Sequence, residues 1–265
     1  MTDRPSRSGN NIVLETRNLT KVFGGLTAVA DLDMTVRRGH ICSLIGPNGA
    51  GKTTVFNVVT GIYKPEKGIV LFEEHNITGK KIHRIVKKGI ARTFQNIRLF
   101  PDMTCLENVM AGQHSRTKSG LLAALLRHPA QRKEEARVYD MAKSRLRQVG
   151  LWNQRNELAK NIAYGSQRML EIARALASDP TLLVLDEPSS GLNHGETDTL
   201  MTFLKALIET EHLTILLIEH DMNVVMGISN HVIVMDGGRK IAEGTPEEIY
   251  RNERVIEAYL GKDEH

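Results

Sequence analysis

The run Gly46-Pro47-Asn48-Gly49-Ala50-Gly51-Lys52-Thr53-Thr54 constrains this chain more than any other stretch. The apolar segment Ile41-Cys42-Ser43-Leu44-Ile45 leads into it, and Val55, Phe56, Val58 and Val59 follow at helical spacing. Strand, glycine-rich loop and helix in that order satisfy GxxxxGK[ST] together with the context the motif needs. Phosphate offers a cluster of acceptor oxygens with several negative charges. Gly49 and Gly51 let successive backbone N–H groups turn inward where a Cβ would obstruct them. The N-terminus of the next helix adds partial positive charge. Lys52 brings a mobile full charge for the β- and γ-phosphates, and the Thr53 hydroxyl suits Mg²⁺. Asn48, Ala50 and Thr54 belong to the same cradle. The stretch predicts binding of a nucleoside triphosphate.

The flanking chain reads as α/β. Residues 1–10 are polar and expected to be disordered. Ile12–Thr16 and Leu19–Phe23 read as strands, followed by a turn at Gly24-Gly25. Leu32, Met34 and Val36 alternate with Asp31, Asp33, Thr35 and Arg37, the pattern of a half-buried antiparallel strand. Gly68–Glu73 and Gly89–Gln95 return to strand character. Residues 97–165 carry helical patterning without good strands, and Val138, Met141, Ala142, Leu146 and Val149 share one face before Gly150. We assign no chemistry to residues 115–132. Leu182–Leu185 and Leu213–Ile218 are continuously apolar, as strands buried on both faces are. Arg168–Ser178 reads as a helix, His231–Met235 and Lys240–Glu243 as a hairpin around Gly237-Gly238. Thr245-Pro246-Glu247-Glu248 carries the signals that open a last helix, expected to run to about Leu260.

In open parallel sheets the ligand lies at the carboxyl ends of the strands. The phosphate loop, Asp186-Glu187 and His220 each follow such an end, so the three are expected to converge near the γ-phosphate. Asp186 suits Mg²⁺, directly or through water. Glu187 is placed to polarise an attacking water, and His220 to hold that water and the γ-phosphate in line. Phe23 precedes the phosphate loop, and its flat ring could stack on a base without reading its edge. The alternative for Phe23 is an ordinary core residue.

Composition sets bounds on the remainder. A net charge of +4 comes without a dense basic run, which gives nucleic acid no clear footprint. Cys42 and Cys105 lie far apart without ligand spacing, and Cys42 falls in a predicted buried strand, which suits a buried thiol in a reducing cytosol. No apolar run approaches the roughly 20 residues that span a bilayer. Any membrane work this chain drives is expected to fall to another chain.

With these residues in view, the chain resembles the ATP-binding subunits of ABC transporters over nearly its whole length. The phosphate loop, Gln95, the degenerate signature Ala163-Tyr164-Gly165-Ser166-Gln167, Asp186-Glu187 and His220 occur in that family's order, and Phe23 matches its adenine-stacking aromatic. The runs Arg92–Phe100, Glu219-His220-Asp221-Met222 and Ala258-Tyr259-Leu260-Gly261 look most like the ATPase of branched-chain amino acid importers, the LivG type. The resemblance implies a P-loop core of the RecA-like kind, residues 11–96 and 166–265, with an antiparallel β subdomain. It also implies an inserted helical subdomain, residues 97–165, ending at the signature. It implies ATP and Mg²⁺ as ligands, with Thr53, Gln95 and Asp186 at the metal and Gln95, Glu187 and His220 in hydrolysis. A head-to-tail dimer would sandwich ATP between one phosphate loop and the other copy's Tyr164, Gly165, Ser166 and Gln167. The partner would be a second copy or a sister cassette, with a sister favoured. Membrane permease subunits and, indirectly, a solute-binding protein complete the implied partners, at the cytoplasmic face of the inner membrane. The family's usual signature is LSGGQ; Tyr164 stands where Ser is usual and Ser166 where the second Gly is, and Asn193 replaces a common Asp. A soluble ABC-type ATPase acting on nucleic acid or ribosomes is the competing class, but one phosphate loop and no sustained heptads argue against it. A GTPase or small-molecule kinase lacks support from any Asn-Lys-x-Asp motif.

Overall fold

The computed structural model describes residues 11–113 and 129–260. The predicted tail 1–10 and most of the unassigned stretch 115–132 lie outside them. Two long strands, β1 (Ile12–Phe23) and β2 (Leu26–Arg37), form an antiparallel hairpin. The two short strands expected up to Phe23 are in fact one. Asn18 takes a φ of +48° and the register slips between Thr16 and Leu19, a bulge rather than a break. The Thr16 hydroxyl steadies it, donating to Leu32 O at 2.9 Å and accepting from Met34 N at 3.1 Å. A second positive φ, at Asp31, lets β2 begin five residues before the alternating pattern does.

Next come β3 (Ile41–Ile45), α1 (Lys52–Val59), β4 (Lys67–Phe72), β5 (His75–Asn76), α2 (Ile82–Lys88) and β6 (Ile90–Arg92). The helices α3 (Cys105–Ala111), α4 (Pro129–Gln148) and α5 (Tyr164–Leu176) precede β7 (Leu182–Asp186). The chain then runs through α6 (His194–Glu211), β8 (Thr214–Ile218), α7 (Met222–Ile228), β9 (His231–Asp236) and β10 (Arg239–Gly244). It ends in α8 (Pro246–Tyr250) and α9 (Glu253–Leu260). The last helix expected from the sequence is therefore two. Asn252 restarts it, its carboxamide oxygen accepting from Arg254 N and Val255 N.

The antiparallel sheet has the order β2-β1-β4-β5, and the larger sheet β10-β9-β3-β8-β7-β6 is parallel except for the β9–β10 hairpin at its edge. Every residue of β3, β7 and β8 is buried, and successive side chains serve opposite faces. Leu182, Val184, Leu216 and Ile218 face α1 and the antiparallel sheet, while Leu183, Leu185, Ile215 and Leu217 face α5, α6 and α7. Each such side chain contributes about 1.5–3 kcal/mol on burial, so apolar burial holds this sheet together.

The helices between β6 and β7 form a separate layer. Cys105 and Val109 of α3, Ala142 and Leu146 of α4, and Leu170, Ala173 and Ala177 at α5 share one apolar cluster. Helix α5 starts at Tyr164 rather than Arg168, so the degenerate signature occupies its first turn. Among the described residues, no helix is long and apolar enough to cross a membrane.

Candidate functional site

The phosphate loop joins β3 to α1 between the two sheets. A Cβ on Gly51 would lie 2.4 Å from Ala28 O of β2, so the antiparallel hairpin presses directly on the loop. Gly49 instead owes its place to a φ of +82°, with nothing nearby to meet a side chain. Helix α1 starts without a side-chain cap and without an acidic residue in its first turn. Its leading N–H groups therefore keep their partial positive charge for an anion. Lys52 is buried, and its ammonium donates to Gly46 O at 2.6 Å and Pro47 O at 3.0 Å, bridging the mouth of the loop. Thr53 is exposed and Thr54 half-buried at the same end of the helix, with Asn48 exposed and Ala50 buried in the loop.

Strands β3, β8 and β7 are neighbours, so the loops at their carboxyl ends lie side by side. Asp186, the last residue of β7, is 4% exposed and accepts from Arg92 Nη2 at 2.8 Å. The other Arg92 nitrogen reaches Asn57 and Thr60 on and just after α1, so Arg92 ties Asp186 to the phosphate-binding helix. Glu187 has a φ of +46°, which turns its side chain away from that of Asp186. Gln95 Nε2 donates to Glu187 Oε2 at 3.0 Å, and His220 Nδ1 lies 3.6 Å from the same oxygen. Gln95, Glu187 and His220 come from separate loops and meet at one carboxylate. Behind them, the fully buried Glu219 accepts from Ser189 N at 3.0 Å and His220 N at 3.2 Å, joining the turn after Glu187 to the histidine. Burial pushes the Glu219 carboxyl up, and hydrogen bonds from Ser189 and His220 oppose the shift.

The first turn of α5 packs against the segment that leads into α6. Ala163 is its N-cap and offers no side-chain acceptor. The Tyr164 hydroxyl donates to Ser190 O at 3.3 Å, and Gly165 lies so close to Glu196 that a Cβ would come within 2.4 Å of its carboxylate. Ser166 is half-buried in the same turn, and Gln167 Nε2 turns back to Ile162 O at 3.0 Å. Asn193 caps α6 in a reciprocal box with Glu196. Arg168, one turn into α5, is completely buried and donates to Phe94 O at 2.9 Å and Gln95 O at 2.8 Å.

Phe23 is 39% exposed at the end of β1 and is not part of the core. Its pairing with Leu26 sets it close along the hairpin to Ala28, which touches Gly51. Tyr63 meets its ring edge-on at 5.1 Å, and Lys21 Nζ lies 4.8 Å from its centre.

The sequence did not single out Arg92, Tyr63, Glu219 or Arg168. Glu219 directly follows the buried strand β8, a signal that could have found it, whereas Arg168 follows the polar run Ser166-Gln167 and Arg92 sits in a short strand, so neither arginine carries such a signal. As for the metal, the described residues contain no group of three His, Cys, Asp or Glu side chains able to hold an ion. A hydroxyl at Thr53 and a carboxylate at Asp186 are hard oxygen donors of the number Mg²⁺ uses when phosphates and water complete its shell. The donor set fits.

Residues 29–190 match the ABC transporter family, and residues 239–265 match the branched-chain amino acid ATP-binding cassette transporter family. The high-affinity branched-chain amino acid transport ATP-binding protein LivG of Salmonella typhimurium is 47% identical, with 94% of this chain and 98% of that protein covered. BraF of Pseudomonas aeruginosa, which carries the same description, is 46% identical over the same shares. Among solved structures, a nucleotide-free ATP-binding cassette from an ABC transporter superimposes with a TM-score of 0.83 at 31% identity, covering 95% of this chain and 100% of that one.

Proposed function

The chain belongs to the ABC transporter ATP-binding family, and from that premise we propose how its site works and what it serves. It is the ATP-binding, ATP-hydrolysing subunit of an ABC importer. The solute we propose is a branched-chain amino acid, on the strength of the names borne by its relatives and the match at residues 239–265.

One observation carries the mechanism: Gln95, Glu187 and His220 meet at a single carboxylate at the sheet edge that also bears the phosphate loop. In our reading Lys52 and the N–H groups of residues 48–54 bind the β- and γ-phosphates. Glu187 polarises the attacking water, and His220 holds the water and the γ-phosphate in line. Gln95 reports the state of the nucleotide to the helical layer. Thr53 and Asp186 would hold Mg²⁺, which when bound neutralises charge on the phosphates. Arg92 occupies one Asp186 oxygen and fixes the carboxylate's direction. The uncapped first turn of α5 supplies a second anion site for ATP held by an adjoining cassette, a second copy or, as we favour, a sister. ATP then draws the two together and hydrolysis lets them part. The permease pair would dock in the groove of about 380 Å³ lined in part by Arg98, Phe100 and Arg174. That places the chain peripherally on the cytoplasmic face of the membrane, with a solute-binding protein acting from the far side.

The test is Glu187→Gln. It should bind ATP as the parent does while turnover falls about 10²–10⁴-fold. On a sizing column with ATP and Mg²⁺ it should run as a dimer, alone or mixed with a sister cassette. Only monomer in both runs would remove the sandwich. ATP hydrolysis indifferent to added permease would remove the transport role.

A further inference from the structure

The C-terminal end of the chain meets the phosphate loop at Gly46, Ala50 and Gly51. Gly46 has a φ of +146°, and a Cβ there would lie 2.0 Å from Met235 O of β9. The Ala50 carbonyl accepts from Gly238 N at 3.2 Å, in the β9–β10 turn. A Cβ on Gly51 would be 3.4 Å from the Met235 methyl. Tyr259, in the last turn of α9, approaches the same loop. Its ring packs on an apolar cluster that contains Ile45, Val234, Ile249 and Val255. Its hydroxyl oxygen is shielded from solvent and, among the described residues, has no hydrogen-bond partner of good geometry. Burial pushes the phenol up, and the Gly46 N–H, which the oxygen faces, opposes the shift.

A buried hydroxyl without a partner is costly, and phenylalanine would fill the same space without that cost. The oxygen is explained by the group it faces. Lys52 holds Gly46 by its carbonyl. To serve the β- and γ-phosphates, as the nucleotide reading above requires, the ammonium must leave that carbonyl. Gly46 then loses the restraint on its carbonyl and keeps only its close packing on Met235 O.

We propose that Tyr259 is a positioning residue for the nucleotide site, its hydroxyl accepting from the Gly46 N–H once phosphate fills the loop. The C-terminal segment thereby braces the loop from β10 onward, a role that does not require contact with nucleotide. This rests on the nucleotide reading, so the experiment separates the two. The full chain and its Tyr259→Phe and Lys52→Ala variants are titrated with ATP and Mg²⁺ by calorimetry. Each is also unfolded by heat without nucleotide. Tyr259→Phe should weaken ATP binding about three- to tenfold, the usual worth of one neutral hydrogen bond, without lowering the unfolding midpoint. Amide exchange at residues 46–49 with ATP bound should be faster in that variant. Unchanged affinity in Tyr259→Phe, with binding lost in Lys52→Ala, overturns the brace and leaves the nucleotide site standing. A lowered midpoint that accounts for the weakened binding also overturns it, since the hydroxyl would then be structural. Undiminished binding in Lys52→Ala overturns the nucleotide reading itself.

Discussion

The parallel sheet and the helical layer bury polar groups for different ends. In the sheet, Lys52, Asp186 and Glu219 are buried at the carboxyl edge, where the phosphate loop and the loops after β7 and β8 gather. Apart from Cys42, Ser43 and Thr214, the rest of β3, β7 and β8 is aliphatic. In the helical layer, buried Asn108, Arg168 and Glu171 spend their hydrogen bonds on backbone and on each other. One region is held by apolar burial and, in the mechanism proposed above, uses its polar groups for chemistry. The other is small, has a thinner apolar core, and uses polar groups as clamps. Substitutions should therefore separate: polar changes at the sheet edge cost function, and polar changes among the helices cost stability.

Arg168→Met is the strongest test of that division. Arg168 and Glu171 are 0% and 1% exposed in their side chains and pair at 3.0 Å, while Arg98 N donates to the other Glu171 oxygen at 3.1 Å. Burial already pushes the Glu171 carboxyl up. Removing the guanidinium takes away the cation hydrogen-bonded to that carboxylate, leaving Arg174 as a cation near it, and frees the carbonyls of Phe94 and Gln95. The loss should be about 3–5 kcal/mol, a fall on the order of 10 °C in the unfolding midpoint. Arg168→Met with Glu171→Leu should recover much of it, since replacing both partners of a buried pair is often neutral. A single variant as stable as the parent by calorimetry would break the comparison at its strongest point.

That division also explains what the sequence disclosed. The phosphate loop, Asp186, Glu187 and His220 announce themselves because a motif or an apolar strand points at each. Cys42 and Cys105 are buried as the strand pattern suggests for Cys42, with burial pushing the thiols up to about 12 and about 11. Arg92 and Arg168 were not legible as site residues, because nothing in local sequence says which carbonyl or carboxylate a lone arginine will meet. The bulges at Asn18 and Asp31 were missed because both positions are ordinary turn residues, and only the partner strand decides whether the chain breaks there. Asn252 hid the break between α8 and α9, since its cap lies inside an otherwise helical run.

Asn108 tests the same idea at smaller cost. Its carboxamide is fully buried, accepts from Phe100 N at 2.9 Å, and donates to Phe100 O and Thr104 O, each at 3.0 Å. It thus knots the turn that leads into α3. Asn108→Ala should cost about 1–3 kcal/mol by denaturant unfolding, because it strands buried backbone groups. ATP affinity measured on the folded fraction should not change. If affinity fell with stability intact, the helical layer would be taking part in nucleotide binding within its own chain, and the contrast would be too sharp.

We propose Phe23 for the functional side of the comparison, where it should behave the opposite way. Its ring is part-exposed and meets one edge of Tyr63 and the Lys21 ammonium, and Lys21 is independently anchored to Glu66 at 2.7 Å. Little folding energy is stored there, so Phe23→Ala should leave the unfolding midpoint nearly where it was. Stacking of a base on an aromatic ring contributes about 1–3 kcal/mol and is blind to base identity. Calorimetric titration should therefore show ATP and GTP weakened together, with their ratio unchanged, and Phe23→Trp should bind both at least as well as the parent. If Phe23→Ala binds normally while Tyr63→Ala does not, the neighbouring ring is the platform. The functional edge then extends from β1 to the segment after α1, still without a clamp in the helical layer.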